Sequence, residues 1–419
     1  MRHQILRLLQ ERRRGTDVTQ FDYLPADEGF DPLVVRGELL ITRDSAERDR
    51  SRLDALGLRA ERQDCAERGC EELHKQVLRL THQEGPDHMG PGQRADLAKT
   101  LRSRGTSAAL TAAGTNAAVV KSTGGPRPVQ ARALSTSPGG GPRVAIIDTG
   151  ISEQRRDTVS SQSQPDDLHE FPLGNSAAEV EEREKYLSLD AGHGTFVTGI
   201  VQQLAPHADI TVYRALDSDG IGSEVRIACA MIRAVKDGNQ IINLSLGCQT
   251  QDDYPPLAIH RALELIWEWE REHGQEVLVV AAAGNYGDTR PCWPAAFRSV
   301  VSVAALTSDM TPARWSSRGF WVMCSTIGQG ISSTFVEGTE SPFYASPSSA
   351  PPVPLAEFHG KPPWAAWNGT SFVAPQIVGK LVQLCQTSGQ SPRTALRDLL
   401  AEGSPLPEFG RAIEILPGI

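Results

Sequence analysis

Apolar segments alternate with segments of helical period along the C-terminal part of the 419-residue chain. The apolar runs predict buried parallel strands, and the segments between them repeat apolar residues at the spacing of an amphipathic helix. The clearest of these elements are the predicted strands Val144–Ile147, Ile210–Ala215, Ile241–Leu246 and Val277–Ala283 and the predicted helices Glu224–Lys236 and Leu257–His273. This alternation predicts a three-layer α/β domain with a mostly parallel sheet over residues 143–419.

A different pattern precedes this domain. The chain before residue 122 predicts the order βαββαβ, which is typical of a small α+β ferredoxin-like domain over residues 36–121. Its elements are strands at Glu38–Arg43, Leu58–Gln63, Val77–Leu80 and Ala117–Lys121, a helix ending near Leu56 and a helix at Gln93–Ser103. Residues 1–35 are interpreted as an N-terminal extension, and residues 122–142, rich in Gly, Pro, Ser and Thr, as a linker.

Charge and hydropathy exclude some classes of partner. The chain has 42 Lys and Arg against 51 Asp and Glu, a net charge of −9, and so lacks the basic surface of a nucleic-acid-binding protein. Its apolar runs fall short of the roughly 20 residues that span a bilayer, and arginines interrupt the N-terminus before a signal-like apolar core forms. We therefore expect a cytoplasmic protein with neither a nucleic-acid nor a membrane partner.

The seven cysteines are sparse and odd in number, which predicts no disulfide framework. Cys65 and Cys70 are close in sequence, but they lack a C-x-x-C spacing or an evident ligating histidine pattern. Their spacing is interpreted as chance.

Three short strings in the second domain carry candidate chemistry. Asp148 follows the first predicted strand, His193 opens one helix and Ser371 opens another. Each alone is typical of a turn or cap residue. Together they supply a nucleophile, a general base and acid, and a carboxylate that orients the imidazole. A helix start at Ser371 would also place a positive dipole end beside developing negative charge.

From about Gly141 to its end the chain resembles the subtilisin-like serine proteases, peptidase family S8. The resemblance rests on motifs in the family's order Asp, His, Ser: VAIIDTGI around Asp148, GHGTFVTGI around His193, NLSLG from Asn243, AAAGN ending at Asn285, and NGTSFVAP around Ser371. It implies a serine endopeptidase that hydrolyses protein or peptide substrates through an acyl-enzyme intermediate and needs no cofactor. Thr198 and Gln376 replace the family's usual Ala and His, which implies altered packing rather than lost activity.

The same resemblance implies roles for residues around the triad. Asn285 would donate a hydrogen bond to the oxyanion, with the Ser371 backbone N–H as second donor. Other residues would follow the substrate backbone and form both walls of the P1 pocket: Ser245, Leu246, Gly247, Ala283 and Gly284. Cys292 would lie near the pocket floor, where a thiol favours a small or medium P1 residue; an ordinary buried cysteine is the alternative.

The N-terminal domain resembles in order and position the propeptides of this family. The likeness implies a zymogen whose own N-terminal domain blocks the active site until the chain is cut between Lys121 and Gly140. An independent binding or regulatory domain is the alternative.

The acidic stretch before His193 offers carboxylates for calcium, but their irregular spacing favours a solvated loop without metal. These carboxylates are Asp166, Asp167, Glu170, Glu181 and Glu182.

One rival belongs to another functional class: a catalytically silent subtilisin-like scaffold that binds a partner. The enzyme is favoured because all four positions with a chemical role carry the residue that catalysis requires: Asp148, His193, Ser371 and Asn285. The single D-T-G disfavours an aspartic protease, and the sequence contains no G-x-S-x-G, Walker A or H-E-x-x-H motif.

Overall fold

Small and branched apolar residues build the two largest sheets in the computed structural model of the chain. The model describes residues 2–418 except 15, 17, 25–31, 64–68, 86–87, 116–124, 135, 137–138, 170–184 and 343–354. The helices within the described residues, numbered in chain order, are α1 Arg2–Arg13, α2 Arg43–Arg48, α3 Arg50–Ala55, α4 Glu71–Gln76, α5 Pro91–Ser103, α6 His193–Leu204, α7 Glu224–Lys236, α8 Leu257–His273, α9 Ala374–Ser388 and α10 Pro392–Glu402. Short 3₁₀ turns occur at Glu153–Thr158, Gln251–Asp253 and Thr370–Phe372.

The strands of the described residues are β1 Phe21–Tyr23, β2 Leu33–Thr42, β3 Leu58–Glu61, β4 Val77–His82, β5 Ala108–Thr115, β6 Arg127–Val129, β7 Val144–Asp148, β8 Ile210–Arg214, β9 Ile221–Ser223, β10 Ile241–Leu244, β11 Leu278–Ala282, β12 Val300–Leu306, β13 Cys324–Ile327, β14 Ile331–Thr334, β15 Gly338–Thr339, β16 Glu357–Phe358, β17 Trp364–Trp367, β18 Ser404–Leu406 and β19 Gly410–Ala412. None of the helices in the described part of the chain is both long and apolar enough to cross a membrane.

The large sheet has the order β18-β19-β13-β12-β11-β10-β7-β8, and its strands are parallel except β18. Successive side chains of a strand point to opposite faces, so Val144 and Ile146 pack in one apolar layer and Ala145 and Ile147 in the other. Helices α6 and α9 contribute to the first layer, and α7 and α8 to the second. The predicted three-layer α/β architecture is confirmed, and α7 and α8 have the bounds predicted from their apolar period.

The N-terminal part of the chain forms an antiparallel sheet in the order β3-β4-β2-β5, with β1 paired to β2. Helices α2 and α3 connect β2 to β3, and α5 connects β4 to β5. The apolar core includes Ile41 and Leu80 on the sheet and Leu53 and Ala98 on the helices. The described elements follow the predicted βαββαβ order, with the short helix α4 added before β4.

The last strand of this unit differs from the sequence-based expectation. A strand was expected at Ala117–Lys121, which lies wholly outside the described residues, and the last described strand of this unit is β5, Ala108–Thr115, which was not expected. Its segment AALTAAGT lacks alternation and contains weak strand formers, so tertiary pairing rather than propensity determines its conformation. All eight residues are buried. Within the expected linker, Arg127–Val129 forms β6 and pairs with β17.

Strand β5 joins the two parts of the molecule. Its end, Ala113–Thr115, pairs antiparallel with β9 of the C-terminal unit. Thr115 and Gly247 also exchange two backbone hydrogen bonds, of 3.1 and 2.8 Å. Beside them, the Glu224 carboxylate accepts from the Ala112 N–H at 2.7 Å and from the Ala258 N–H at 2.8 Å. The N-terminal unit is therefore bound to the C-terminal unit through its backbone.

A buried ion pair adds a second connection between the units. Arg13 at the end of α1 binds Asp219 through two guanidinium nitrogens, and its side chain is fully buried. Asp217 lies 3.1 Å from the same guanidinium. Because two carboxylates surround the arginine, its positive charge is compensated although it lies away from water.

Candidate active site

The carboxylate and the imidazole that the sequence singles out are in contact. Asp148 ends β7, and His193 begins α6 after Gly192, whose φ of 77° is the left-handed conformation that favours glycine. His193 Nδ1 lies 2.8 Å from Asp148 Oδ1 and 3.0 Å from Oδ2. An ionised carboxylate accepts hydrogen bonds, so this contact places the imidazole proton on Nδ1 and leaves the lone pair on Nε2. Thr149 N–H donates to the same carboxylate at 2.7 Å.

The charge around His193 favours its protonated form. Burial alone lowers the pKa of His193, but the carboxylate of Asp148 and its hydrogen bond outweigh this effect, so that the pKa is raised. Asp190 and Asp166 act in the same direction. Both Asp148 and His193 have 0% exposed surface. The surroundings therefore stabilise an imidazolium, the species that forms when a histidine accepts a serine proton.

Ser371 lies in the 3₁₀ turn Thr370–Phe372, just before α9. Its hydroxyl donates to the Ser245 carbonyl at 3.1 Å, while the Ser245 hydroxyl donates to the Ser371 carbonyl at 2.7 Å. Ser371 is 1% exposed. The ring of the next residue, Phe372, has its centroid 5.5 Å from that of His193. The residue after Ser371 thus packs beside the His193 ring, while the Ser371 hydroxyl is hydrogen-bonded to a backbone carbonyl.

His193 Nε2 is buried and has no hydrogen-bond partner within the described residues. The ring is packed against aromatic side chains, with the Trp367 ring edge-on at a centroid distance of 5.6 Å. This nitrogen is the acceptor that a serine proton requires. A rotation of the Ser371 side chain away from Ser245 would change the partner of its hydroxyl without a change of fold.

The Asn285 side chain is oriented by Thr370. Its Oδ1 atom accepts from both the backbone N–H and the hydroxyl of Thr370, each at 2.9 Å. The Thr370 hydroxyl oxygen in turn accepts from the Gly284 N–H at 3.1 Å. Because Oδ1 faces Thr370, the amide nitrogen is directed to the other side of the group. Sequence reasoning assigned no role to Thr370, although it is part of the NGTS string.

Cys292 lies between the two expected walls of the P1 pocket. A Cβ atom built on Gly247 or on Gly284 would be 2.7 Å from the Cys292 sulfur. Burial raises the pKa of the Cys292 thiol, which favours its neutral form. The thiol therefore takes up space that a glycine would leave empty.

The other expected pocket residues lie nearby but differ in what they offer. Ala283 is buried, and its N–H donates to the Val303 carbonyl at 2.9 Å. The Leu246 side chain is buried in the apolar layer of α7 and α8, so only its backbone is available to a substrate. Gly247 already pairs with Thr115. The strand that was expected to bind substrate is thus occupied by the protein's own N-terminal unit.

Asp166 was expected in a solvated loop, but its carboxylate is buried. It accepts hydrogen bonds from Thr149, the residue after Asp148, and from Gly192, the residue before His193. Oδ2 accepts from the Thr149 hydroxyl at 3.0 Å and from the Gly192 N–H at 2.9 Å. Burial raises the pKa of Asp166 to about 7, although these two hydrogen bonds by themselves lower it. The sequence offered no signal for this role beyond the position of Asp166 ahead of His193. Glu170, Glu181 and Glu182 lie outside the described residues.

Comparison with known proteins assigns the family. The model of the Subtilase family matches residues 139–405. The thermostable alkaline protease of Halalkalibacterium halodurans is 30% identical over 206 residues, which cover 47% of this chain and half the length of that protein. Thermitase of Thermoactinomyces vulgaris is 28% identical over 278 residues, 64% of this chain and 83% of that protein. The chain belongs to the Subtilase family and is a subtilisin-like serine protease.

A solved structure supports the fold over a longer range. The crystal structure of the epidermin leader peptide processing serine protease EpiP from Staphylococcus aureus covers 90% of this chain and 96% of its own, with a TM-score of 0.52 and 17% identity. At this identity the likeness concerns the fold alone.

Replacement of Asp166 should move the acid limb of the pH–rate profile. Asp166→Asn removes a negative charge that raises the pKa of His193, so the imidazole should be deprotonated at lower pH. We expect the acid limb of kcat/KM to move to lower pH by about one pH unit or less, because Asp166 is itself partly protonated near neutrality. Asp167→Asn is the matched control and should leave the limb in place. A limb that moves to higher pH, or moves equally in both variants, would contradict the electrostatic role.

Proposed function

We propose that the protein is a serine endopeptidase in which Asp148, His193 and Ser371 form a catalytic triad, and that its N-terminal unit inhibits it in cis. The observation that carries the proposal is the Asp148–His193 hydrogen bond of 2.8 Å in a chain that belongs to a serine protease family. The position of Ser371 at the start of α9 beside Ser245 supports its role as nucleophile.

The proposed proton path begins with a rotation of Ser371. Its hydroxyl leaves the Ser245 carbonyl and donates to His193 Nε2, which accepts the proton as the serine oxygen attacks the scissile carbonyl. Asp148 keeps the ring in the required tautomer and stabilises the imidazolium. His193 then donates this proton to the leaving amine, and an acyl-enzyme remains. Water then attacks the acyl-enzyme. His193 accepts a proton from this water and donates it to the Ser371 oxygen as the acid product leaves.

Asn285 is proposed to stabilise the oxyanion. Its Oδ1 atom accepts from Thr370, and the opposite amide nitrogen would donate to the negative oxygen of the tetrahedral intermediate. The Ser371 backbone N–H would be the second donor. A donor that is already oriented needs no reorganisation during the reaction, which is why loss of one such group typically costs about 100- to 1,000-fold in kcat.

Autoinhibition is supported by the course of the N-terminal chain. Thr115 pairs with Gly247, two residues beyond Ser245, and Arg127–Val129 pairs with β17, which ends four residues before Ser371. The two described segments on either side of residues 116–124 therefore lie next to elements on both sides of the nucleophile. An external substrate cannot pair with Gly247 while Thr115 does. Release of the N-terminal unit would open this edge.

The chemistry of the pocket supports a restricted specificity. Cys292 fills space between Gly247 and Gly284, which favours a small residue before the scissile bond. An antiparallel peptide that continues the Thr115–Gly247 register would bring the second residue after Thr115 opposite Ser245. That residue is an alanine in the sequence, Ala117. We therefore propose self-cleavage after Ala117, earlier than the range Lys121–Gly140 expected from the linker composition.

A catalytically silent scaffold is the second candidate function. The burial of Ser371 and the hydrogen bond of its hydroxyl to Ser245 favour it, because both keep the nucleophile from a substrate. The two functions differ in whether Ser371 becomes reactive once the N-terminal unit is removed.

Reaction with a fluorophosphonate probe tests the enzyme against the scaffold. We expect Ser371-dependent labelling that is fast in N-terminally processed protein and slow in the intact chain. Ser371→Ala should abolish labelling, and Asp148→Asn should reduce peptide hydrolysis by about 10⁴-fold by analogy with other triads. Ser388→Ala, an exposed serine on the same α9 helix, is the matched control and should behave as wild type. Absence of Ser371-dependent labelling in both forms would favour the scaffold.

The self-cleavage site is tested by N-terminal mass spectrometry of purified protein. We expect a new N-terminus at Ala118 in wild type and an intact chain in Ser371→Ala, because a peptide that continues the Thr115–Gly247 register would place its second residue, Ala117 in the sequence, opposite Ser245. The Ser388→Ala variant controls for contaminating proteases and should be cut as wild type is. An N-terminus within residues 122–140 would reject the register, and a fully active intact chain would reject cis inhibition.

Enlargement of the pocket should change the specificity. Cys292→Gly removes the thiol between Gly247 and Gly284, so we expect kcat/KM for substrates with Phe or Leu at P1 to rise relative to Ala, by about 10- to 200-fold. A P1 peptide library measures this ratio. Cys324→Ser, a buried cysteine of β13, is the control and should keep the wild-type preference. An unchanged preference in Cys292→Gly would show that Cys292 is an ordinary buried cysteine.

A further inference from the structure

Two cysteines and a histidine meet where the N-terminal unit packs on the C-terminal unit. Cys70 is the residue before α4, His74 lies on α4, and Cys229 lies in the middle of α7. The His74 Nε2 atom is 2.9 Å from the Cys70 sulfur and 3.5 Å from the Cys229 sulfur. Cys70 is 1% exposed and Cys229 is 0% exposed. The three side chains therefore form one compact cluster that spans both units.

The local geometry explains how the ligand atoms converge. Residues four apart lie on the same face of a helix, so Cys70 and His74 point in the same direction from α4. That face packs on α7, where Cys229 supplies the third atom. All three ligand atoms lie within 4.8 Å of one another. Sequence reasoning found no ligating histidine pattern because Cys229 is 155 residues away from His74.

The distances agree with the size of a tetrahedral zinc site. Zinc bonds of about 2.3 Å to sulfur and 2.0–2.1 Å to nitrogen give tetrahedral edges of about 3.5–3.8 Å. The Cys229–His74 distance already has this value. The Cys70–His74 distance is shorter than this edge. The Cys70 side chain would therefore rotate away from the ring on binding the ion.

The charge balance also suits a divalent, thiophilic cation. Two cysteine thiolates neutralise the two positive charges of Zn²⁺, and the histidine binds as a neutral imidazole. A neutral site can be buried among the apolar side chains of Leu73, Val77 and Ile232, whereas an uncompensated ion could not. The set supplies three protein ligands, so a water would complete the fourth position of a tetrahedral site. We propose that Cys70, His74 and Cys229 bind one Zn²⁺.

Such an ion would crosslink the two units. Next to the cluster, Lys236 of α7 already binds the Glu72 carboxylate and the Gly69 carbonyl, each at 2.8 Å. Zinc would add bonds from Cys70 and His74 on one unit to Cys229 on the other. Release of the N-terminal unit would then break the ligand set. This regulatory consequence rests on the proposed cis inhibition, but the metal site itself does not.

Metal binding to the intact chain tests the site without any reference to proteolysis. Full-length Ser371→Ala is reduced, freed of reductant, and titrated with Co²⁺ and then Zn²⁺. We expect one equivalent of Co²⁺ with the visible and near-ultraviolet bands of tetrahedral thiolate coordination, and displacement by one equivalent of Zn²⁺. Addition of Cys229→Ser should weaken binding by more than about 100-fold, because loss of an outer-shell partner alone costs 10- to 100-fold.

Matched variants separate a metal site from a folding effect. Cys385→Ser, a mostly buried cysteine of α9 outside the cluster, should bind metal as the parent does. Circular dichroism and thermal unfolding of Cys229→Ser and His74→Gln check that the fold is kept, and both should lose the rise in Tm that Zn²⁺ gives the parent. Absence of tight metal binding, or binding that Cys229→Ser leaves unchanged, would overturn the proposal. A Cys70–Cys229 disulfide that persists after treatment with reductant and desalting would also overturn the proposal.

The regulatory consequence has its own readout. In self-cleaved protein we expect the N-terminal fragment to remain bound in Zn²⁺ and to dissociate faster after chelation, with Cys229→Ser dissociating fast in both conditions. If metal binds but dissociation is unaffected, the site stands and the crosslink is rejected.

Discussion

The pairing of one short strand on both its edges is the constraint on which the rest of this structure depends. Strand Ala108–Thr115 pairs with β2 of its own unit on one edge and with β9 of the C-terminal unit on the other, and its last residue, Thr115, also pairs with Gly247 on the edge opposite β9. Backbone pairing is independent of side-chain identity, so small residues such as Ala and Gly suffice. At Gly114 an added Cβ would lie 2.4 Å from the Cδ1 atom of Ile227, so a larger residue would force that side chain to move. Under the proposed function, this pairing occupies the edge that would bind a substrate.

Most polar groups of the candidate site are already in place while strand β5 is paired with the C-terminal unit. The Asp148–His193 pair is assembled and buried, and Asn285 is oriented by Thr370, so most of the polar framework is already organised. Only the Ser371 hydroxyl is bonded elsewhere, to the Ser245 carbonyl. Under the proposed function, a rotation of Ser371 toward His193 would connect the relay, and occupation of the substrate edge by the N-terminal unit would be enough to block the site without rebuilding it.

Elements with a strong local period could be predicted from the sequence, and contacts between distant segments could not. Helices α7 and α8 have the predicted bounds because their apolar residues recur at helical spacing. The Asp148–His193 contact follows from family order as well as from position at a strand end and a helix start. Strand β5 was missed because AALTAAGT has neither period nor β-branched residues beyond threonine. Asp166 was misinterpreted because burial by other segments, rather than local composition, decides whether a carboxylate is solvated.

Deuterium exchange of the Thr115 and Gly247 backbone amides, followed residue by residue in the intact Ser371→Ala chain, tests whether the N-terminal unit occupies the substrate edge. Each amide donates to the other residue's carbonyl, at 3.1 and 2.8 Å. We predict slow exchange at both, similar to that of the buried strand amide of Ile146, because both hydrogen bonds must open together. Exchange of Thr115 and Gly247 at the rate of exposed amides, while Ile146 stays protected, would show that the N-terminal unit does not occupy the substrate edge.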